Sequence, residues 1–218
     1  MNYQSPTRVT PVSQPVLVAN SSQSLVWMRN LLIILSGSLL VGVCAHVTLP
    51  LTFTPVPLTL QDFAVMALGL LLAPRLASAT MIAYLAEGAM GFPVFAPNAT
   101  GMTGLAHILG PTGGFLMAYP FMAMVISYLW RTGERTFIGA LVAATSGNMI
   151  LLTLGGAWFG FLTHVSPQIV FAEAVMPFVP GDAIKIILAA FVGLEWYQIR
   201  PAPRRGLATI YTNYSDPN

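Results

Sequence analysis

Residues 61–90 of the chain read QDFAVMALGLLLAPRLASATMIAYLAEGAM. Two apolar runs, 61–73 and 76–90, are separated by Pro74 and Arg75, and each is shorter than the roughly 20 residues of a typical membrane-spanning helix. The segment is therefore either two short helices, broken or re-entrant, or one kinked helix. Short helices of this kind line binding sites, because irregular backbone survives at membrane depth only against protein or a water-filled cavity.

The composition of the whole chain explains why a membrane is the expected surrounding. Of 218 residues, 56% are apolar and only 7% are charged, against roughly 25% charged in soluble domains. A soluble fold with so few charges would expose large apolar patches to water. The remaining apolar runs lie at 25–46, 113–130, 136–157 and 178–198. We therefore predict an all-α integral membrane protein with six transmembrane helices.

The positions of the basic residues orient these helices. The predicted outer connections, 47–60, 91–112 and 158–177, contain no Lys or Arg. With six spans, the inner side holds Arg8, Arg29, Arg75, Arg131, Arg135, Arg200, Arg204 and Arg205. This distribution follows the positive-inside rule, whereas merging the two short runs would leave Arg75 in mid-membrane. We therefore predict that both termini are cytoplasmic, in a multi-pass protein of the cell (plasma or inner) membrane.

The chain divides into three parts. Residues 1–24 are polar and without periodicity, which predicts a disordered lead. Residues 25–198 form the predicted transmembrane domain, and residues 199–218 form a cytoplasmic tail, since Pro201 stops the last helix. The net charge is only +2, without a basic run, so nucleic acid is not an expected partner.

One pair of charges lies inside a predicted span. Asp182 and Lys185 are three residues apart, which places them on one face of a helix near the outer surface. Charges in a membrane are costly, so they indicate a site for a polar ligand. The alternative is a structural ion pair that fixes the last helix. Asp62 and Glu173, near predicted helix starts, are interpreted first as caps.

Enzymatic chemistry has little support in this sequence. The only lysine, Lys185, follows Ile184, so no phosphate-binding loop ending in Gly-Lys-Ser/Thr exists. The three histidines lie in separate segments without metal-ligand spacing, and Ser146 lacks a nucleophile-elbow pattern. We therefore expect neither catalysis, nor a metal, nor a cofactor bound by this chain.

Small residues mark two further candidate surfaces. Gly113 and Gly114 follow a predicted turn, where their amides either approach an anionic ligand or allow close helix packing. Ser38 and Gly42 form a small-xxx-small pair that is compatible with contact to another membrane helix.

Five motifs in a fixed order give a family resemblance. They are VPLTLQ at 56–61, LAPRL at 72–76, GFPVF at 91–95, LGPTGGF at 109–115 and PGDAIK at 180–185. Together they resemble the BioY family, the biotin-specific substrate-capture (S) components of energy-coupling-factor (ECF) transporters. The resemblance covers about residues 25–195.

The resemblance implies biotin uptake, in which biotin is the substrate and is captured with high affinity from outside. It also implies partners: a transmembrane coupling subunit and two ATPase subunits, which would bind the ATP, with docking through small residues of the first helix. A homo-oligomer is a further possibility. The main alternative is a self-sufficient secondary transporter or channel for another small polar vitamin-like solute. An intramembrane enzyme and a structural subunit rank below it.

The resemblance also implies a set of site residues. Asp182 and Lys185 match the family's biotin-holding pair, and Asn98 matches its polar loop residue. Tyr84 and Phe115 are expected to shield the bicyclic ring. For the valerate carboxylate the alternatives stay open and comprise Lys185, His107, Asn98 and the amides near Gly113 and Gly114.

Overall fold

The protein is nearly all helical. The computed structural model describes residues 16–97 and 101–199, with side chains described from residue 23 onward. Its helices are α1 (Val16–Ala45), α2 (Gln61–Leu71), α3 (Pro74–Ala89), α4 (Gly104–Ile108), α5 (Gly113–Thr132), α6 (Phe137–Thr163), α7 (Pro167–Ala174) and α8 (Val179–Ile199). The one departure from all-α in these ranges is a two-residue antiparallel ladder, β1 (Thr48–Leu49) with β2 (Leu58–Thr59).

The chain breaks where Pro74 interrupts the apolar sequence. Leu72 and Ala73 are extended, and Pro74 begins α3 as its first helical residue, a position where proline's missing N–H and fixed φ are tolerated. The carbonyl of Leu72, left unpaired by the break, accepts hydrogen bonds from Ser127 and Arg131 of α5. Two separate short helices, rather than one kinked helix, are thus confirmed.

Each of the six predicted apolar runs corresponds to a helix, but their boundaries differ. Helix α1 begins at Val16, upstream of the predicted start at residue 25, so residues 16–24 are helical rather than part of a disordered lead. Helices α4 and α7 are additional short helices in two of the connections that the sequence predicts to be outer. Residues 1–15 and 200–218, which hold the rest of the lead and nearly all of the tail, lie outside the described residues.

Fewer than six of the described helices are both long and apolar enough to cross a membrane on their own. In the described ranges, three segments are long and apolar enough: Gln23–Ala45, Gly113–Thr132 and Phe137–Thr163. Helices α7 and α8, bent by 52° at their junction, qualify together as a fourth. Helix α2 is apolar but has only 11 residues.

The outside of the bundle is apolar. Leu39, Ile138 and Phe161 are 65%, 71% and 71% exposed, and so large an apolar surface requires lipid rather than water around it. The protein is therefore embedded in a membrane. Inside, α5 is the central helix, packed against α2, α3 and α6. Gly147 of α6 brings α5 close, since a Cβ there would lie 2.3 Å from Ile126 Cγ1.

The ladder between β1 and β2 positions the start of α2. Thr48 pairs with Thr59 and Leu49 with Leu58, and the N–H of Leu60 donates to the carbonyl of Val47 at 3.0 Å. These bonds hold the connection between α1 and α2 as a hairpin that leads directly into α2. The first residues of α2 are thereby fixed beside the start of α8, where α2 and α8 pack together.

Candidate functional site

Three charged side chains meet where α2 and α8 begin. The ammonium of Lys185 donates to both carboxylate oxygens of Asp62, at 2.8 and 3.0 Å, and to Asp182 Oδ1 at 3.3 Å. Their side chains are only 12%, 9% and 3% exposed, respectively. We call these three residues the ion triad. The predicted pairing of Asp182 with Lys185 is confirmed as a contact.

Asp62 is the member that sequence reasoning assigned to another role. It lies in the first turn of α2, but it makes no capping hydrogen bond there. Its partner Lys185 is 123 residues away along the chain, so local spacing carries no signal for the pair. The prediction that Asp62 acts as a cap is wrong. Glu173, the other predicted cap, lies in the last turn of α7 rather than at a helix start.

A fourth residue, Asn148 of α6, holds Asp182 in place. Its Nδ2 donates to Asp182 Oδ2 at 3.1 Å, opposite the oxygen that Lys185 contacts. The side chain is buried, and its Oδ1 has no hydrogen-bond partner among the residues that the structure describes. A buried unpaired acceptor costs about 1–3 kcal/mol, so the amide is placed here for its contact with Asp182. Both oxygens of Asp182 are thus oriented by neighbouring helices.

The ion triad combines two carboxyl groups with one ammonium group. With both carboxylates ionised, Asp62 and Asp182 contribute two negative charges against the single positive charge of Lys185. Buried carboxylates need hydrogen-bond donors to offset their lost hydration. A ligand that offers several N–H groups matches this cluster, whereas a ligand that presents a carboxylate to it meets repulsion.

The triad lies in a cavity that we call the site cavity. Its empty volume, including the space at its open mouth, is about 600 Å³. It is lined by Val56, Pro57, Thr59, Gln61, Asp62, Ala96, His107, Thr112, Phe115, Leu116, Tyr119, Leu151, Leu152, Phe178, Asp182 and Lys185. One polar end and mostly apolar walls suit a ring that carries a polar edge.

A glycine of α6 places an aromatic ring in this wall. The ring of Phe115 lies against Gly155, where an added Cβ would be only 2.2 Å from Phe115 Cδ1. On its other side, the ring packs near Phe178 with a centroid distance of 6.1 Å. Phe115 lines the site cavity, and its role in shielding a ligand ring stays a prediction.

Tyr84 supports the site cavity from behind. It is fully buried and is not among the lining residues. Its hydroxyl accepts a hydrogen bond from Gln61 Nε2 at 2.9 Å and donates to the carbonyl of Val94 at 3.0 Å. Tyr84 therefore orients Gln61, which does line the cavity. Its expected direct contact with a ligand ring does not fit this position.

Gly113 is used for packing. Its N–H donates to the carbonyl of Gly110 at 3.0 Å, and an added Cβ would lie 1.6 Å from the carbonyl oxygen of Ile108. The amide is already paired and Gly113 does not line the site cavity, which contradicts its predicted contact with a ligand. Asn98, the predicted polar loop residue, lies outside the described residues.

His107 of α4 lines the site cavity. Burial lowers the pKa of its imidazole, partly offset by the bond with the carbonyl of Met102, from which Nδ1 lies 3.2 Å. The lowered pKa favours the neutral ring. His107, one of the alternatives for neutralising a carboxylate, is therefore poorly suited to that role.

Ser38 and Gly42 face the interior of the bundle. Ser38 is fully buried and donates to Glu87 of α3, and a Cβ on Gly42 would contact Val94 at 3.4 Å. Ser38 thus contacts another helix of the same chain, as its small-xxx-small spacing predicts, and the buried pair is not exposed for docking of a partner subunit. In the described ranges, no group of three His, Cys, Asp or Glu side chains is arranged to hold a metal ion.

Comparison with known proteins gives a consistent result. The model of the BioY family matches residues 14–202. The chain is 32% identical over 167 residues to the biotin transporter BioY2 of Lactococcus lactis subsp. cremoris, covering 77% of this chain and 89% of that protein. It is 35% identical over 156 residues to the biotin transporter BioY of Thermotoga maritima, covering 72% and 88%.

A solved structure has the same fold. The crystal structure at 2.1 Å of the S-component for biotin from an ECF-type ABC transporter superposes with a TM-score of 0.72 at 25% identity. The match covers 79% of this chain and 93% of that chain.

Proposed function

The chain belongs to the BioY family, and on this premise we propose that it captures biotin at the outer face of the membrane and delivers it inward. The observation that carries the proposal is the buried ion triad at the polar end of an otherwise largely apolar cavity. The relatives' function and this geometry point to the same ligand.

The ureido ring of biotin fits the triad chemically. It has two N–H donors and one carbonyl acceptor, so Asp62 and Asp182 each accept one N–H, and Lys185 exchanges one carboxylate contact for the ureido oxygen. Hydrogen bonds to ionised groups are roughly twice as strong as neutral ones. The two donated N–H groups also offset the negative charge of the two carboxylates.

The remaining wall residues hold the rest of the ligand. Phe115 and Phe178 line the cavity and offer apolar surface to the bicyclic ring. Gln61, held by Tyr84, offers a further polar group. Asn98 remains the predicted polar contact from the outer loop after α3.

For the topology, we propose six spans with both termini cytoplasmic, in the plasma or inner membrane. In support, the link between α2 and α3 and the end of α5 lie on one face, since Arg131 Nε is 3.3 Å from the carbonyl of Leu72. Arg75 is the second residue of α3, directly after this link. The starts of α2 and α8, with the triad, lie together at the other face.

Transport requires energy that this chain does not supply through a phosphate-binding loop. We propose that an ECF transmembrane coupling subunit and two ATPase subunits supply it, in keeping with the transporter type of the structural neighbour. Docking through Ser38 and Gly42 is not part of this proposal, because both face inward. Proteoliposomes with and without these subunits separate coupled uptake from transport by the chain alone.

The test of function is uptake in a biotin-auxotrophic bacterium without its own biotin transporter but with an ECF energising module. Cells that produce the wild-type chain should accumulate labelled biotin and grow at limiting biotin. The variant Asp182→Asn should abolish both at equal protein level. Glu195→Gln, an exposed carboxylate change on the same helix, is the matched control and should behave as wild type. Absence of biotin uptake in cells that produce the wild-type chain would contradict the proposal.

A further inference from the structure

A second cavity adjoins the site cavity, beside the connection between α3 and α4. Its empty volume, including the space at its opening, is about 630 Å³, and we call it the outer cavity. It is lined by His46, Phe92, Pro93, Phe95, Ala96, Pro97, Gly101, Met102, Thr103, Gly104 and His107. Ala96 and His107 line both cavities, so the two spaces share one wall.

The outer cavity offers no fixed positive charge. None of its lining residues is Lys, Arg, Asp or Glu, and the outer connections contain no Lys or Arg in the sequence. Both histidines are engaged through Nδ1, His46 with the carbonyl of Gly42 at 2.8 Å and His107 with that of Met102 at 3.2 Å. A carboxylate in this cavity therefore finds no ion-pair partner of the Lys or Arg type.

The single lysine of the site cavity is not available for a carboxylate either. Lys185 already contacts two carboxylates, Asp62 and Asp182. Adding a third carboxylate beside them would bring like charges together in a buried site. If the ureido ring occupies the triad, a path for the valerate chain leads past Ala96 and His107, which line both cavities, to the outer cavity.

From this arrangement, which rests on the proposed function, we propose that the chain also binds biotin amides, in which the valerate carboxyl is joined to an amine. The amine portion would occupy the outer cavity. Because no Lys or Arg lines the outer cavity to stabilise a negative charge, replacing the carboxylate by an uncharged amide should lower the binding affinity little.

The experiment is competition against labelled biotin on the full-length chain in detergent. The competitors are biotin, biotinamide and ε-N-biotinyl-lysine. Diaminobiotin, which lacks the ureido carbonyl, is the control for the ring end of the ligand. We expect both amides to bind within about tenfold of biotin, a difference of about 1.4 kcal/mol or less, and diaminobiotin to bind at least about a hundredfold more weakly.

The outcomes separate this inference from the proposed function. Tight biotin binding together with amides weaker by about a hundredfold or more would overturn the inference and leave the proposed function standing. Failure of biotin itself to bind would overturn both.

A variant locates the amine portion. Thr103→Trp places a large side chain in the outer cavity, which Thr103 lines. It should weaken ε-N-biotinyl-lysine about tenfold or more while biotin changes less than about twofold. The matched control is Leu105→Trp, at a position of α4 that is 63% exposed and outside the lining. Equal effects of Thr103→Trp on the two ligands, or none on either, would contradict the assignment.

Discussion

The substitution Asp62→Asn tests the member of the ion triad that is far from the other two along the chain and meets them only in the folded protein. The change keeps the size of the side chain and removes its charge. Lys185 loses the carboxylate that it contacts through both oxygens, at 2.8 and 3.0 Å, and keeps Asp182 at 3.3 Å. The remaining pair is electrically neutral, so the protein should fold and its melting temperature should not fall appreciably.

Biotin binding, in contrast, should weaken. A ureido N–H that donates to the Asp62 carboxylate would meet an amide in the variant, and hydrogen bonds to charged groups contribute about 1.5–3 kcal/mol. This loss corresponds to an increase in Kd of about 10-fold to 150-fold. Isothermal titration calorimetry on purified protein in detergent measures the Kd directly, and a thermal shift on the same sample verifies folding.

The matched control is Glu195→Gln, which removes an exposed carboxylate from α8. It corrects for any general effect of the lower negative charge. A Kd for Asp62→Asn within about twofold of wild type, in folded protein, would refute the assignment of Asp62 to the site. An equal loss in the Glu195→Gln control would refute it as well.

Three further predictions follow from the geometry. Lys185→Met leaves two buried carboxylates without their cation, which destabilises the fold by about 3–5 kcal/mol. Both the biotin affinity and the melting temperature should therefore fall. An unchanged melting temperature would contradict the ion triad. Gly155→Ala should force the Phe115 ring into the site cavity and weaken biotin binding about tenfold, because the new Cβ would lie 2.2 Å from that ring. The control Gly156→Ala, whose new Cβ would lie 3.4 Å from its nearest neighbour, should bind biotin as the wild type does. Equal biotin affinities of the two variants would contradict the placement of Phe115 in the cavity wall. In a cysteine-free background, Thr103→Cys and Glu134→Cys, both exposed, should label from opposite sides of the membrane, and labelling from one side would overturn the proposed topology.

The helical framework could be predicted from local sequence. Apolar runs indicate helices by their length, and Pro74 indicates the break between α2 and α3, because proline lacks an N–H and fixes its own φ. Asp182 and Lys185 could also be paired from sequence, since residues three apart share one helix face. These features depend only on neighbours along the chain.

The rest of the site depends on contacts between distant segments. Asp62 reaches Lys185 across 123 residues, and Asn148 reaches Asp182 across 34, so neither partner is visible in any local pattern. The sequence signal that could have drawn attention to Asp62 is its charge beside an apolar run. A cap was the simpler interpretation, and only the packing of α2 against α8 distinguishes the two.

Glycine and other small residues were ambiguous for a different reason. Ligand contact, partner docking and tight packing all need a small or missing side chain. The sequence at Gly113, and at the pair of Ser38 and Gly42, is therefore compatible with each of these roles. The structure assigns them to packing: Gly113 lies against Ile108, and Gly42 against Val94. The surrounding elements, not the motif, decide the role.

The most direct test of the central claim is a calorimetric titration of the purified wild-type chain in detergent with biotin, using thiamine and riboflavin as controls. Capture by the ion triad and its apolar walls predicts selective biotin binding with a nanomolar Kd, about −12 kcal/mol, and no heat of binding for the two other vitamins. A folded sample that does not bind biotin, or that binds all three alike, would contradict it.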